Sequence, residues 1–215
     1  MAQETVFEII AKHRVVPVIA VESPDAAIPL ADALIEGELP IAEITFRTAA
    51  AAAVMAKLSK ERPKLLVGAG TVLSPENVQA AKDSGAKFAV APGLNPAVIA
   101  KAQDLGLPFV PGIATPTDIE QALSLGCSTL KVFPVEVLGG VKLIQALTAP
   151  YGHTGVRFVP TGGVNMNNLT DYLSIPSVAA VGGTWLAKRN DIAQGNWGQI
   201  RGRCRAAARI VNSCQ

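Results

Sequence analysis

Leu65-Leu66-Val67-Gly68-Ala69-Gly70-Thr71-Val72-Leu73-Ser74-Pro75-Glu76 is the stretch that decides the fold class. An apolar run, Leu65 to Gly70, is short enough for a buried strand and closes on glycine and threonine. A serine followed by proline and glutamate then opens a helix. The serine side chain caps orphan backbone N–H groups, and proline suits the first helical turn. The same sentence is written elsewhere in the chain, at Ser23-Pro24, Asn95-Pro96 and Thr115-Pro116.

Working outward from Leu65, short apolar runs alternate with alanine-rich helical segments, the pattern of parallel strands joined by crossover helices. A leading helix is expected from about Glu4 to Lys12. Strands follow at Val15 to Val21, Ile41 to Thr45, Leu65 to Gly70, Phe88 to Ala91, Phe109 to Gly112, Thr129 to Phe133, Val156 to Thr161 and Ala179 to Gly182. Eight βα units favour a (β/α)8 TIM barrel with an extra N-terminal helix over an open doubly wound sheet, and no Gly-x-Gly-x-x-Gly follows the first strand. Glycine, proline and threonine recur just after the strands, at Gly68-Ala69-Gly70-Thr71, Pro92-Gly93, Pro111-Gly112, Thr161-Gly162-Gly163 and Gly182-Gly183-Thr184. In a barrel these positions form the mouth, where glycines let the backbone approach a ligand.

Composition narrows the class further. The chain has 215 residues, 49% hydrophobic and 17% charged, enough for a sizeable core in one domain spanning residues 1–215. A net charge of +2 with scattered cations argues against nucleic-acid binding. The exception is Arg201, Arg203, Arg205 and Arg209 in a final helix, Trp197 to Val211, where a solvated face and a cationic last turn are expected. Cys127, Cys204 and Cys214 lack metal-ligand spacing, and an odd count fits a reducing, cytoplasmic compartment. Neither signal peptide nor membrane span is read, the N-terminus being Met1-Ala2-Gln3-Glu4-Thr5 with no long apolar stretch after it. His13 and His153 are too few for a histidine metal site, so no metal and no cofactor are expected.

The chemistry centres on Lys131, a cation inside the apolar run Thr129-Leu130-Lys131-Val132-Phe133 that Pro134 stops. Burial penalises an ammonium, and a neutral amine attacks a ketone to form a Schiff base without metal or cofactor. The plainer alternative is a lysine snorkelling from a strand end. On the second strand, Glu43 and Thr45 share a face and Ile44 takes the other. Inward, Glu43 meets Lys131, either as an acid/base partner or as an ion pair that neutralises both. Arg47 lies just beyond, with donors suited to a carboxylate. Thr161-Gly162-Gly163 and Gly182-Gly183-Thr184 end strands seven and eight, where barrels hold phosphate on backbone amides. Gly139-Gly140 either adds room near the lysine loop or shapes a turn.

The blocks Glu43-Ile44-Thr45-Phe46-Arg47-Thr48, Val67-Gly68-Ala69-Gly70-Thr71-Val72, Ala91-Pro92-Gly93-Leu94, Leu130-Lys131-Val132-Phe133-Pro134, Pro160-Thr161-Gly162-Gly163-Val164 and Gly182-Gly183-Thr184-Trp185 together resemble the 2-keto-3-deoxy-6-phosphogluconate (KDPG) aldolase family. The resemblance spans nearly the whole chain. It implies a class I aldolase, a homotrimer of (β/α)8 barrels in the Entner–Doudoroff route, yielding pyruvate and glyceraldehyde 3-phosphate from a phosphorylated keto acid. By the same resemblance, Lys131 forms the Schiff base and Glu43 is the acid/base group, working through a water. Arg47 and Thr71 hold the pyruvyl carboxylate, Pro92 and Phe133 wall the pocket, and Gly162, Gly163, Gly182, Gly183 and Thr184 receive the phosphate. Thr184 stands where the family commonly has serine, and Pro17 where some relatives carry an arginine. The alternatives are an aldolase of the galactonate series, one of 2-keto-4-hydroxyglutarate (KHG), and, from another class, a non-catalytic phosphate-binding barrel.

Overall fold

The structure, a computed structural model, describes residues 5–214. The reading of Met1 to Glu4, including the expected helix start at Glu4, lies outside the described residues. Among the described residues there are nine strands: β1 Val15–Ile19, β2 Ile41–Thr45, β3 Leu66–Gly70, β4 Phe88–Val90, β5 Phe109–Val110, β6 Gly112–Ile113, β7 Thr129–Val132, β8 Arg157–Pro160 and β9 Val181–Gly183. Helix α1, Val6–His13, precedes them. Between and after them come α2 Ala27–Glu36, α3 Ala51–Glu61, α4 Pro75–Asp83, α5 Pro96–Asp104, α6 Pro116–Ser124, α7 Val135–Leu138, α8 Gly140–Tyr151, α9 Leu169–Leu173, α10 Arg189–Ala193 and α11 Trp197–Ser213.

The strands pair in parallel, as crossover helices require, in a sheet curled on itself. One ladder runs β5-β4-β3-β2-β1-β9 and the other β6-β7-β8. Single bridges, Phe158 to Val178 and Thr161 to Gly182, tie the second ladder to the β9 side. The expected strand Phe109 to Gly112 is divided into β5 and β6 at Pro111, because proline has no N–H to give a ladder. The first strand stops at Ile19 rather than Val21.

The four expected caps are made. Ser23, Ser74, Asn95 and Thr115 accept from the backbone N–H groups of Asp25, Asn77, Ala97 and Asp118. Thr5 and Glu8 form a reciprocal capping box on α1.

Alternation along the strands sorts side chains into two layers. Val15, Ile19, Ala42, Ile44, Leu130 and Val132 face outward into the main core beneath the helices. Val16, Ile41, Phe88, Val90, Val110 and Ala180 face inward as a separate cluster, joined by Ile10 of α1. That inner cluster is the floor on which Glu43 and Lys131 stand.

The arginines of α11 are not in its last turn, which carries no basic residue. Arg201 pairs with Glu36, Arg205 donates to the Glu36 carbonyl, and Arg203 donates to Asp191 and the Leu186 carbonyl. Arg201, Arg205 and Arg209 are exposed, as a solvated face requires, and the first two also dock the helix onto α2 and its C-terminal end. Cys127, Cys204 and Cys214 are free, and burial pushes the Cys204 thiol up to about 12. Among the described residues no helix is long and apolar enough to cross a membrane.

Candidate active site

β2 follows the reading of its sequence residue for residue, Ile41 to Thr45. Because its side chains alternate, Glu43 turns inward above Ile41, while Ala42 and Ile44 go to the outer core. In register, Glu43 lies between Val18 of β1 and Gly68 of β3. Lys131 is flanked by Gly112 of β6 and Val159 of β8. The two strands therefore approach the same interior from different ladders.

The ammonium and the carboxylate meet there. Lys131 Nζ is 3.5 Å from Glu43 Oε1. The residues are 5% and 3% exposed, so Lys131 does not snorkel to solvent. Glu43 Oε1 is buried and accepts no hydrogen bond among the described residues. Beyond the Lys131 contact its lone pairs are left open to a ligand or water, as a group that carries protons to and from a ligand requires. The Lys131 ammonium also lies 5.5 Å from the centroid of the Phe133 ring.

Above the pair opens a cavity of about 230 Å³. It brings together Lys131, Glu43, Arg47, Thr71, Pro92, Phe133, Gly162, Gly163, Gly183 and Thr184, all singled out in the sequence. Arg47 follows β2, and its Nε donates to Thr45 Oγ1 at 3.1 Å while Thr45 Oγ1 donates to the Ile19 carbonyl at 3.0 Å. Thr71 follows β3 with φ of 57°, a left-handed conformation costly for a β-branched residue and common at ligand sites.

Gly182 is not among the residues lining the cavity. It is bridged to Thr161, and a Cβ there would lie 2.5 Å from Thr161 Oγ1. Thr161 itself, with Val18 and Val164, lines the cavity instead. Thr161 was visible as part of Thr161-Gly162-Gly163. Val18 carried no polar signal at all.

The glycine loop at 162–163 is held from the lysine side. Glu136 N–H donates to the Gly162 carbonyl and Val135 N–H to the Thr161 carbonyl. Gly162 and Gly163 have φ of 94° and 96°. A Cβ at Gly163 would sit 2.3 Å from Glu136 Cγ. Glu136 Oε1 accepts from the Tyr172 hydroxyl and from Asn168 Nδ2. The Phe133–Pro134 peptide, between β7 and α7, is cis.

Such a site combines a sheltered amine, an adjacent carboxylate, an arginine and glycine loops. It can form a covalent adduct with a carbonyl and move protons around it. A sequence model of the aldolase family described as KDPG and KHG aldolase matches residues 6–203. The 2-dehydro-3-deoxy-phosphogluconate aldolase of Treponema pallidum (strain Nichols) is 45% identical over 207 residues, 96% of this chain and 98% of that protein. Its counterpart from Haemophilus influenzae is 45% identical over 197 residues, 92% of each chain. Among solved structures, KDPG aldolase from Legionella pneumophila, with pyruvate captured at low pH as a covalent carbinolamine intermediate, matches with a TM-score of 0.89. That chain is 34% identical, and the match covers 94% of this chain and 97% of that one.

Proposed function

The chain belongs to the KDPG and KHG aldolase family, and from that premise we propose that it cleaves KDPG to pyruvate and glyceraldehyde 3-phosphate through an imine on Lys131. The single observation that carries this reading is the buried Lys131–Glu43 pair, 3.5 Å apart below the cavity.

As a free amine, Lys131 adds to the C2 ketone, forming a C–N bond while the carbonyl oxygen takes a proton. Loss of water from the carbinolamine gives an iminium. Glu43, through a water, then accepts the proton of the C4 hydroxyl. The C3–C4 electron pair becomes the C2=C3 double bond and the C=N π pair moves onto nitrogen, neutralising the iminium, so that an enamine remains and the aldehyde is released. Protonation at C3 and hydrolysis return pyruvate and the free lysine. The lysine itself is the electron sink, so the reaction calls for no cofactor.

Arg47 and Thr71 grip the pyruvyl carboxylate in this reading, and Pro92 and Phe133 wall the reacting carbons. Gly162, Gly163, Gly183 and Thr184 receive the phosphate, with Gly182 supporting them from the strand behind. Holding both anionic ends orients the scissile bond. The same proposal takes the two ladders as one closed (β/α)8 barrel with α1 as the extra helix, in one domain, acting as a cytoplasmic homotrimer. The bridge from Thr161 to Gly182 and the inner cluster sealed by Ile10 support closure.

Reduction with borohydride in the presence of pyruvate tests the reading. Mass mapping is expected to find the adduct on Lys131 and none in Lys131→Ala; an adduct elsewhere overturns it. Cleavage rates on KDPG, its galactonate epimer and KHG then rank the substrates.

A further inference from the structure

The substrate's phosphate would be a dianion, yet the loops that face it offer only backbone amides and the hydroxyls of Thr161 and Thr184. Among the described residues lining the cavity, the cations are Lys131, paired with Glu43, and Arg47, whose Nε donates to Thr45 Oγ1. A second cavity of about 430 Å³ adjoins the first and shares Val18, Arg47 and Thr184 with it. Its remaining wall is Ala20, Ala187, Lys188 and Arg189. Arg189 is committed, with Nη2 3.1 Å from Glu22 Oε1. The Lys188 ammonium has no hydrogen bond or ion pair among the described residues. It stands at the cap of α10, four positions after Thr184, on the same loop.

An uncommitted cation beside the phosphate loops is attracted to a dianion over several ångströms, most strongly at low salt. We propose that Lys188 is a specificity-determining residue, supplying the positive charge by which the chain prefers a phosphorylated keto acid to the same acid without its phosphate. The inference rests on the proposed function, and it deepens the phosphate site of that reading. Lys188 is exposed, so its contribution is screened and smaller than that of a buried pair.

Steady-state kinetics on KDPG and on the unphosphorylated 2-keto-3-deoxygluconate test it. Lys188→Ala is expected to raise KM for KDPG about five- to tenfold, with kcat changed by less than about twofold. Inorganic phosphate should inhibit that variant more weakly in the same proportion, and the KM difference should shrink as salt is raised. For the unphosphorylated acid, kcat/KM should shift less than about twofold, and Lys188→Arg should restore the KDPG value. Equal losses on both substrates, or an unchanged KM for KDPG, overturn the inference. If the unmodified enzyme discriminates and Lys188→Ala keeps all of that discrimination, Lys188 alone is refuted. If the unmodified enzyme does not discriminate, the phosphate reading fails and takes this inference with it.

Discussion

Glu43 occupies the space that a side chain at Gly70 would take. A Cβ at Gly70 would lie 2.3 Å from Glu43 Oε1 and 2.7 Å from its Cγ. The glycine on β3 therefore sets where the carboxylate of β2 rests, and with it the approach to Lys131. Gly70→Ala must push the Glu43 side chain aside or distort the strand, at a stability cost of about 1–3 kcal/mol. Turnover is expected to fall about a hundredfold or more, the range for a displaced acid/base group. Activity assays beside urea unfolding check this; a stable variant with near-normal turnover would mean that the carboxylate's position is unimportant.

Glu43→Gln isolates the carboxylate from its shape. The amide fills the same space beside Gly70, so the chain should stay folded by circular dichroism. Its kcat should drop about a hundredfold or more, because an amide cannot carry the proton. Turnover within a few-fold of the parent would remove Glu43 from the mechanism.

Tyr172 is fully buried, and its hydroxyl donates to Glu136 Oε1. Burial first, and then this bond to a carboxylate, push the phenol well above its usual range, so it remains a donor. Glu136→Ala strands that hydroxyl and should cost about 1–3 kcal/mol. Adding Tyr172→Phe removes the unpaired group and should recover part of the loss. Urea unfolding of both single variants and the double variant measures the coupling. Purely additive losses would show that the two do not act as a unit.

Asp118 gives a pH prediction. Burial pushes its carboxyl up, but N–H groups of Ala114 and Thr115, each 2.9 Å from Oδ2, and the Thr115 side chain outweigh this and hold it below its ordinary 3.8. A depressed carboxyl contributes stability above its unfolded value and loses it as pH falls through the folded value. Asp118→Asn should therefore cost about 1 kcal/mol at neutral pH, as for a lost helix cap. Below pH 3.8 the gap between the two proteins should close progressively. A gap independent of pH would place the effect in the asparagine itself.

Much of the site was legible because its signals are local. Period-two alternation puts Glu43 and Thr45 on one face of β2, and the structure agrees. Lys131 stood out against its apolar neighbours and is buried as expected. The caps at Ser74, Asn95 and Thr115 were readable because capping uses residues within a turn of one another. Pro111 was read through, although its missing N–H breaks a strand. The glycines were the instructive error. Those of β3 were expected to admit a ligand, but Gly68 leaves room for the Phe88 ring and Gly70 for Glu43. Their partners lie on neighbouring strands, 20 and 27 residues away along the chain.

By itself the sequence determined the alternation of parallel strands and helices and the family, and it singled out Lys131 and Glu43, because periodicity, capping and a lone cation in an apolar run are written in consecutive residues. Tertiary structure alone decided that Lys131 and Glu43 stand 3.5 Å apart, that Gly182 backs Thr161 instead of lining the cavity, that Arg201 and Arg203 dock on Glu36 and Asp191, and that Lys188 and Thr184 line one cavity. Each of these depends on strand register and on how the sheet curls, which are set by packing between segments far apart in the chain.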